Sequence, residues 1–341
     1  MRGIAVFASG MVTPVGFNAP ASLAAMRGHI RNVREVGLWD NESAAGPPVG
    51  KVDLPQWWVG LGKMADLVAP AIHECLEAAK PTPSGEIALL LGLPSPDRPC
   101  RIERLESDLL AQIEARLECR FHARSAVIVR GHVSTAIGLH LSGEFIERQE
   151  VRSVIIAAVD SLVDERLKDH YVECRRLLTP ENSNGFSLGE AGAAVLVGRA
   201  GEREGLRILG LGFGRESATI DSELPLKADG LTAAIRAALD DSASTMDDVQ
   251  YRITDLNGEH YKFKEMALAM MRFPYKPKPR VLDLWHPNEH LGDVGAAIGP
   301  IVLATALDAA RKDYAIGPRA LCTFGNDDGA RAAVIVQHEP G

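Results

Sequence analysis

The chain has 341 residues, is 46% hydrophobic and carries a formal net charge of -8, enough apolar mass for one or two large cores and too much for disorder. The densest cationic stretch, PYKPKPR at 274–280, is short and broken by prolines, which argues against nucleic acid and anionic membranes as partners. No apolar run reaches the about 18 residues of a membrane span. The opening MRGIAVFASGMVTPVG has neither the apolar centre nor the cleavage site of a signal peptide, so a cytoplasmic location is expected. Five cysteines, Cys75, Cys100, Cys119, Cys174 and Cys322, contain no C-x-x-C pair. Buried free thiols in a reducing compartment are expected, with no disulfide framework or zinc site.

In chain order, short β-branched runs alternate with helical patterns. IAVFA near 4 reads as a strand, ADLVAPAIHECLEAA (65–79) as a helix, IALLLGL near 87 as a strand and IERLESDLLAQIEARLE (102–118) as a helix. SAVIVRG near 125, the helical VSTAIGLHLSGEFIERQ (133–149), SVIIAAVDSL near 153 and AAVLVG near 193 continue the alternation. Near-continuous apolar strands between helices indicate an α/β protein whose sheets are covered on both faces. A composition break at 200–206, GRAGEREG followed by LRILG, reads as a turn between two similar halves, 1–203 and 204–341. In the second half GLTAAIRAALDDS (230–242) places Leu231, Ile235 and Leu239 on one helix face. Each half closes with a strand after a glycine-rich corner, GFSLGEAGAAVLVG in one and FGNDDGARAAVIV in the other, the mark of two related α/β units packed together.

GFSLGEAGAAVLVG (185–198) resembles the G-F-x-x-G-E-G-A-x-x-x-V-L element of β-ketoacyl synthases, with Ala191 in place of a glycine. HVSTAIGLHLSGEFIERQEVRSVIIAAVDSL (132–162) aligns without a gap to the helix and strand that begin at that family's nucleophile cysteine. SGMVTPVG (9–16) is similar to the family's opening motif, GDVGAAIG (292–299) to its G-H-x-x-x-A-A-G element, and FGNDDGARAAVIV (324–336) to its closing strand. The resemblance implies the thiolase fold, five layers in the order αβαβα with two similar halves, and usually a homodimer.

The same resemblance puts His132 at the nucleophile position, on a sharp strand-to-helix turn. It puts Asn257, in Asn257-Gly258-Glu259, at the first catalytic histidine and Asp293 at the second; His260 slides into the first role if the gap is placed differently. No counterpart of the family's lysine is evident in LWHPNEHL. An imidazole at a helix N-terminus is biased towards its neutral form and is a poor substitute for a thiolate. Losing a nucleophile elsewhere cost on the order of 10⁶ in turnover, so condensation is not expected. The polar character of all three substitutions suggests a hydrogen-bonded cluster in which Asp293 orients the His132 ring. A buried polar network that keeps the fold accounts for it; a ligand site or altered chemistry is the other reading.

The segment WHPNEHLGD holds His286, His290 and Asp293, but Pro287 and Asn288 argue for a loop rather than a metal site. No metal and no cofactor are expected. Cys322, near the place of a second thiolase cysteine, reads as a buried thiol. Asn326, Asp327 and Asp328 stand at the family's pocket gate, where charge disfavours an acyl chain. The favoured function is a synthase-like protein without the catalytic Cys-His-His set that binds a protein partner. The resemblance extends to chain-length-factor subunits and to synthase-like proteins of type VI secretion, which would fit effector handling. The alternatives are an acyl- or thioester-processing enzyme using His132, Asn257 and Asp293, and an acyl or coenzyme A pocket without turnover, against which the acidic gate argues. Val133, Ile137 and Leu141, spaced i, i+4, i+8, are expected to face the centre.

Overall fold

Alternate side chains of the central strands enter different cores, which is why their sequences are apolar without interruption. The structure, a computed structural model, describes residues 3–35, 46–56, 58–273 and 282–339; the basic stretch 274–280 lies outside the described residues. The first half runs β1 (Ile4–Val12), α1 (Ala19–Arg27), β2 (Arg34–Glu35), β3 (Pro48–Gly50), α2 (Leu61–Ala79), β4 (Ile87–Leu93), α3 (Leu105–Leu117), β5 (Ala126–Val129), α4 (Ser134–Glu147), β6 (Ser153–Ser161), α5 (Glu165–Glu173) and β7 (Leu188–Arg199). The second runs β8 (Gly205–Arg215), α6 (Asp229–Ser242), β9 (Tyr251–Thr254), α7 (His260–Met270), β10 (Asp283–Trp285), α8 (Asn288–Leu291), α9 (Ile298–Arg311), β11 (Arg319–Gly325) and β12 (Ala330–Glu339).

The two halves repeat one topology. In the first the strand order is β1-β7-β6-β4-β5, antiparallel for the first two pairings and parallel for the next two. In the second it is β8-β12-β11-β9-β10 with the same senses. Among the described residues the half-sheets pair edge to edge where Ala5 and Val6 of β1 meet Arg207 and Leu206 of β8. On β4, Ala88 and Leu90 enter a core shared with α4 and α9, while Ile87, Leu89 and Leu91 enter one shared with α2 and α3. On β12, Val334 and Val336 join the α4–α9 core, and Ala333 and Ile335 pack with α6 and α7. The layers are therefore helix, sheet, helix, sheet, helix, with α4 and α9 in the middle. Leu231, Ile235 and Leu239 of α6 are buried as the spacing predicts.

Helix α4 meets the expected face in part, since Val133, Ile137 and Leu141 all pack with the middle core. Val133 is buried, but Ile137 and Leu141 are half-buried, and the covered side carries Thr135, Ala136, Leu139, Ser142 and Ile146. Small side chains determine this, because they let backbones approach: a Cβ on Gly138 would stand 2.9 Å from Ile156, and one on Gly299 of α9 would stand 2.2 Å from the Thr135 hydroxyl. Ile137, Leu141 and Phe145 are partly buried and pack against the middle core, which also holds Ile128 of β5, an edge strand of the sheet. The cysteine expectation holds only in part. All five are free, Cys75 and Cys322 are buried, Cys100 and Cys119 are intermediate and Cys174 is exposed. Among the described residues no helix is long and apolar enough to cross a membrane.

Candidate functional site

The two central helices begin in the same way. A 3₁₀ turn, Gly131–Val133, leads into α4, and a second, Gly295–Ala297, leads into α9. Each opens on a glycine in the left-handed region, φ 52° at Gly131 and 54° at Gly295, where a side chain is strained. Space forbids one too, since a Cβ on Gly295 would lie 2.1 Å from Asp160 Oδ2. The halves cap each other's turns. Asn326, just past β11, accepts the His132 amide at 2.9 Å through Oδ1, and Asp160, near the end of β6, accepts the Ala296 amide at 3.2 Å. Helix-terminal amides are bonded by anionic or carbonyl oxygens because they have no intrahelical partner.

His132 thus projects between the halves, where its side chain is 15% exposed. Its Nδ1 lies 2.9 Å from Asp255 Oδ2 and its Nε2 lies 3.5 Å from Asp293 Oδ1. Asp255 also accepts the Gly325 amide at 2.8 Å and stands 3.6 Å from Lys262 Nζ. Asp293 accepts Asn257 Nδ2 at 2.7 Å and the Gly295 amide at 2.9 Å. Asn257 further donates to Glu259 Oε2 at 3.1 Å, and Arg176 bridges Glu259 and Asp327 at 2.7 and 2.8 Å. The three positions singled out in the sequence, His132, Asn257 and Asp293, are joined through the Asp293 carboxylate. His260 is not with them: it is exposed at the start of α7, its amide bonded to Asn184 Oδ1 at 2.8 Å.

The expectation of a neutral imidazole is overturned. Burial and the Lys262 ammonium oppose protonation, yet the hydrogen bonds to Asp255 and Asp293 outweigh both and raise the His132 pKa to about 9. Two carboxylates in bonding range exceed the half-charge of a helix N-terminus. Burial would raise both carboxyls, but Lys262 and His132 hold Asp255 below the ordinary range, and His132 with Lys262 holds Asp293 far below it. Lys262 stays charged, since Asp255 and Asp293 outweigh its burial. At neutral pH two cations, His132 and Lys262, face the carboxylates of Asp255 and Asp293, with Asp160 and Asp327 also within range of His132.

Sequence reasoning missed Asp255 and Lys262. Asp255 sits two residues before the noted Asn257, at the end of β9, and Lys262 one turn into α7. Either was open to detection by asking what could neutralise a buried histidine. Asn326 was placed at a gate, but 7% exposed it is a cap, with Nδ2 also donating to the Arg130 carbonyl at 2.8 Å. The acidic gate does not shut the site. Asp327 is held by Arg176, Asp328 Oδ1 accepts the Ala330 amide at 2.8 Å, and a cavity of about 460 Å³ reaches His132. Its walls mix charged groups, Arg98, Asp160, Lys262 and Asp293, with the apolar Leu162 and Phe186. In WHPNEHLGD the expected loop contains one helical turn, α8, and Asp293 faces His132 rather than His286. Cys322, fully buried in the middle core, has its thiol pushed up to about 12 by burial and supplies no thiolate.

Two like halves around a central helix pair are the arrangement of the thiolase fold. No protein-family model and no curated protein matches the sequence. Among solved structures, a ketosynthase from module 6 of the bacillaene synthase from Bacillus subtilis 168 superposes with a TM-score of 0.80 at 13% identity, covering 99% of this chain and 72% of that one. A ketosynthase in complex with its chain length factor from Xenorhabdus doucetiae gives 0.78 at 14% identity over 99% and 98%. A type II PKS acyl-carrier protein in complex with its ketosynthase gives 0.79 at 11% identity over 98% and 99%. These likenesses are of fold.

Proposed function

We propose that this chain is a ketosynthase-like protein that does not condense acyl thioesters and that acts by binding another protein. The observation that carries the reading is the full engagement of His132. Both ring nitrogens face carboxylates and its amide is bonded to Asn326. An imidazolium has no lone pair for attack or for taking a proton, and the turn amide that would serve an oxyanion is occupied. The ion-paired centre is then a structural core.

The partner surface is the free edge of β5 with the partly buried Ile137, Leu141 and Phe145 of α4. An unpaired edge is a template for strand-to-strand association, and a homodimer is the first partner it fits. The similar structures that hold a ketosynthase with its chain length factor favour a pairwise mode. The halves 1–203 and 204–341 are its two structural units, and effector handling in type VI secretion is one cellular setting for it. The cavity that ends on His132 favours a second reading, chemistry on an acyl compound by His132, Asn257 and Asp293.

Intact-mass measurement after incubation with an acyl-thioester mimic, together with light scattering of the native chain, separates the two. The proposal expects no adduct on a residue lining the cavity, and a dimer that Leu141→Asp converts to monomer. An adduct in the cavity overturns it in favour of the second reading.

A further inference from the structure

The cluster around His132 leaves two histidines of the second half's loop, His286 and His290, and one from the first half, His29, outside the site. His290 lies in α8 and is 8% exposed; its Nε2 is 3.2 Å from Glu289 Oε1. His29, from the distant end of α1, brings its ring to 5.8 Å from that of His290. One donor atom from each of His29, Glu289 and His290 lies within 4.8 Å of the other two. These residues line a cavity of about 200 Å³ that Trp285 and Tyr314 also wall. A sequence reading confined to His286, His290 and Asp293 could not find this set, because its third member is at the other end of the chain.

The geometry points to a divalent transition-metal site, of zinc type, formed by His29, Glu289 and His290 with a fourth position left to water. Two imidazoles and one carboxylate are the donors such ions select, and three protein ligands with an open position are a known arrangement for zinc. Ligands about 2.0–2.2 Å from an ion in tetrahedral geometry stand about 3.3 Å apart, already the spacing between Glu289 and His290. His29 and Glu289 are exposed, so rotation of their side chains closes the remaining distance without moving the core.

The backbone at the end of α1 places His29 beside His290. The α1 terminus closes with the Ile30 amide on the Ala25 carbonyl at 2.8 Å and the His29 amide on Met26 at 3.0 Å. In that motif the left-handed position is ordinarily glycine. Here Gly28 sits one place early at φ -79°, and His29 takes the left-handed turn at φ 54°. Four other helices end in the same way, on Gln149, Arg175, Ala243 and Asp313; at the end of α1 the turn residue is the one that faces His290.

A cation here would tie the end of α1 to the segment 288–293. That segment ends in Asp293, so the ion would brace the loop that supplies one of the two His132 carboxylates. This inference stands independently of the protein-binding function.

The test uses the full chain, stripped with a chelator and titrated with zinc chloride by calorimetry, with cobalt(II) absorption as a second readout. One zinc per chain is expected, with visible bands of four-coordinate cobalt and a rise in Tm reversed by chelator. His29→Ala and Glu289→Gln, both exposed and therefore compatible with folding, should each weaken zinc at least tenfold. His140→Ala, on the exposed side of α4, should leave it unchanged. No binding, or binding unaltered by both His29→Ala and Glu289→Gln, overturns the assignment.

Discussion

Raising the pH should remove the charge at the heart of the fold, and the cost follows from the His132 environment. The imidazole pKa goes from 6.5 in an exposed chain to about 9 in the native protein. A pKa raised on folding means that the native state binds the proton more tightly. Its stabilisation is therefore complete below about pH 6.5 and is lost as the pH rises through about 9. At about 1.36 kcal/mol per unit, the shift corresponds to about 3 kcal/mol, a large share of the stability of an ordinary domain. Asp255 and Asp293 work in the other direction: held low when folded, they stabilise above the unfolded carboxyl range and lose that contribution on acidification. Urea unfolding of the wild type and of His132→Gln should be measured every half unit from pH 6 to 10. Their difference isolates the histidine from other titrating groups. It should shrink by about 3 kcal/mol between pH 6.5 and 9.5. A difference that stays flat, or widens with pH, would mean a neutral imidazole, and the argument from paired carboxylates would fail.

Two further outcomes follow from the same structure. Asn326→Ala removes the acceptor for the His132 amide and the donor to Arg130; it should cost about 1–3 kcal/mol in urea unfolding, the price of an unsatisfied buried amide, and a change below about 0.5 kcal/mol would show that the cap is not formed. In the native state a thiol reagent should modify exposed Cys174 promptly and reach Cys75 and Cys322 only on unfolding, because both are buried with thiol pKa values pushed well up. Rapid native labelling of Cys322, followed by peptide mapping, would contradict its place in the middle core.

The alternation of apolar runs with helical periods, and the paired glycine-rich corners, made the α/β class and the two similar halves legible in the linear sequence. These are local signals: a strand buried on both faces has to be apolar throughout, and a turn into a helix has to bend at a residue such as Gly131 or Gly295. The positions His132, Asn257 and Asp293 were also legible, through resemblance. Their charges were not, since a pKa depends on which groups lie within a few ångströms, and Asp255 and Lys262 reach His132 only when the two halves meet. The face of α4 was only partly legible for a related reason. Periodicity ranks side chains by hydrophobicity, whereas the centre of this fold selects small residues that let α9 and β6 approach. The meeting of His29 with His290 likewise depends on two chain ends that only the closed fold brings together.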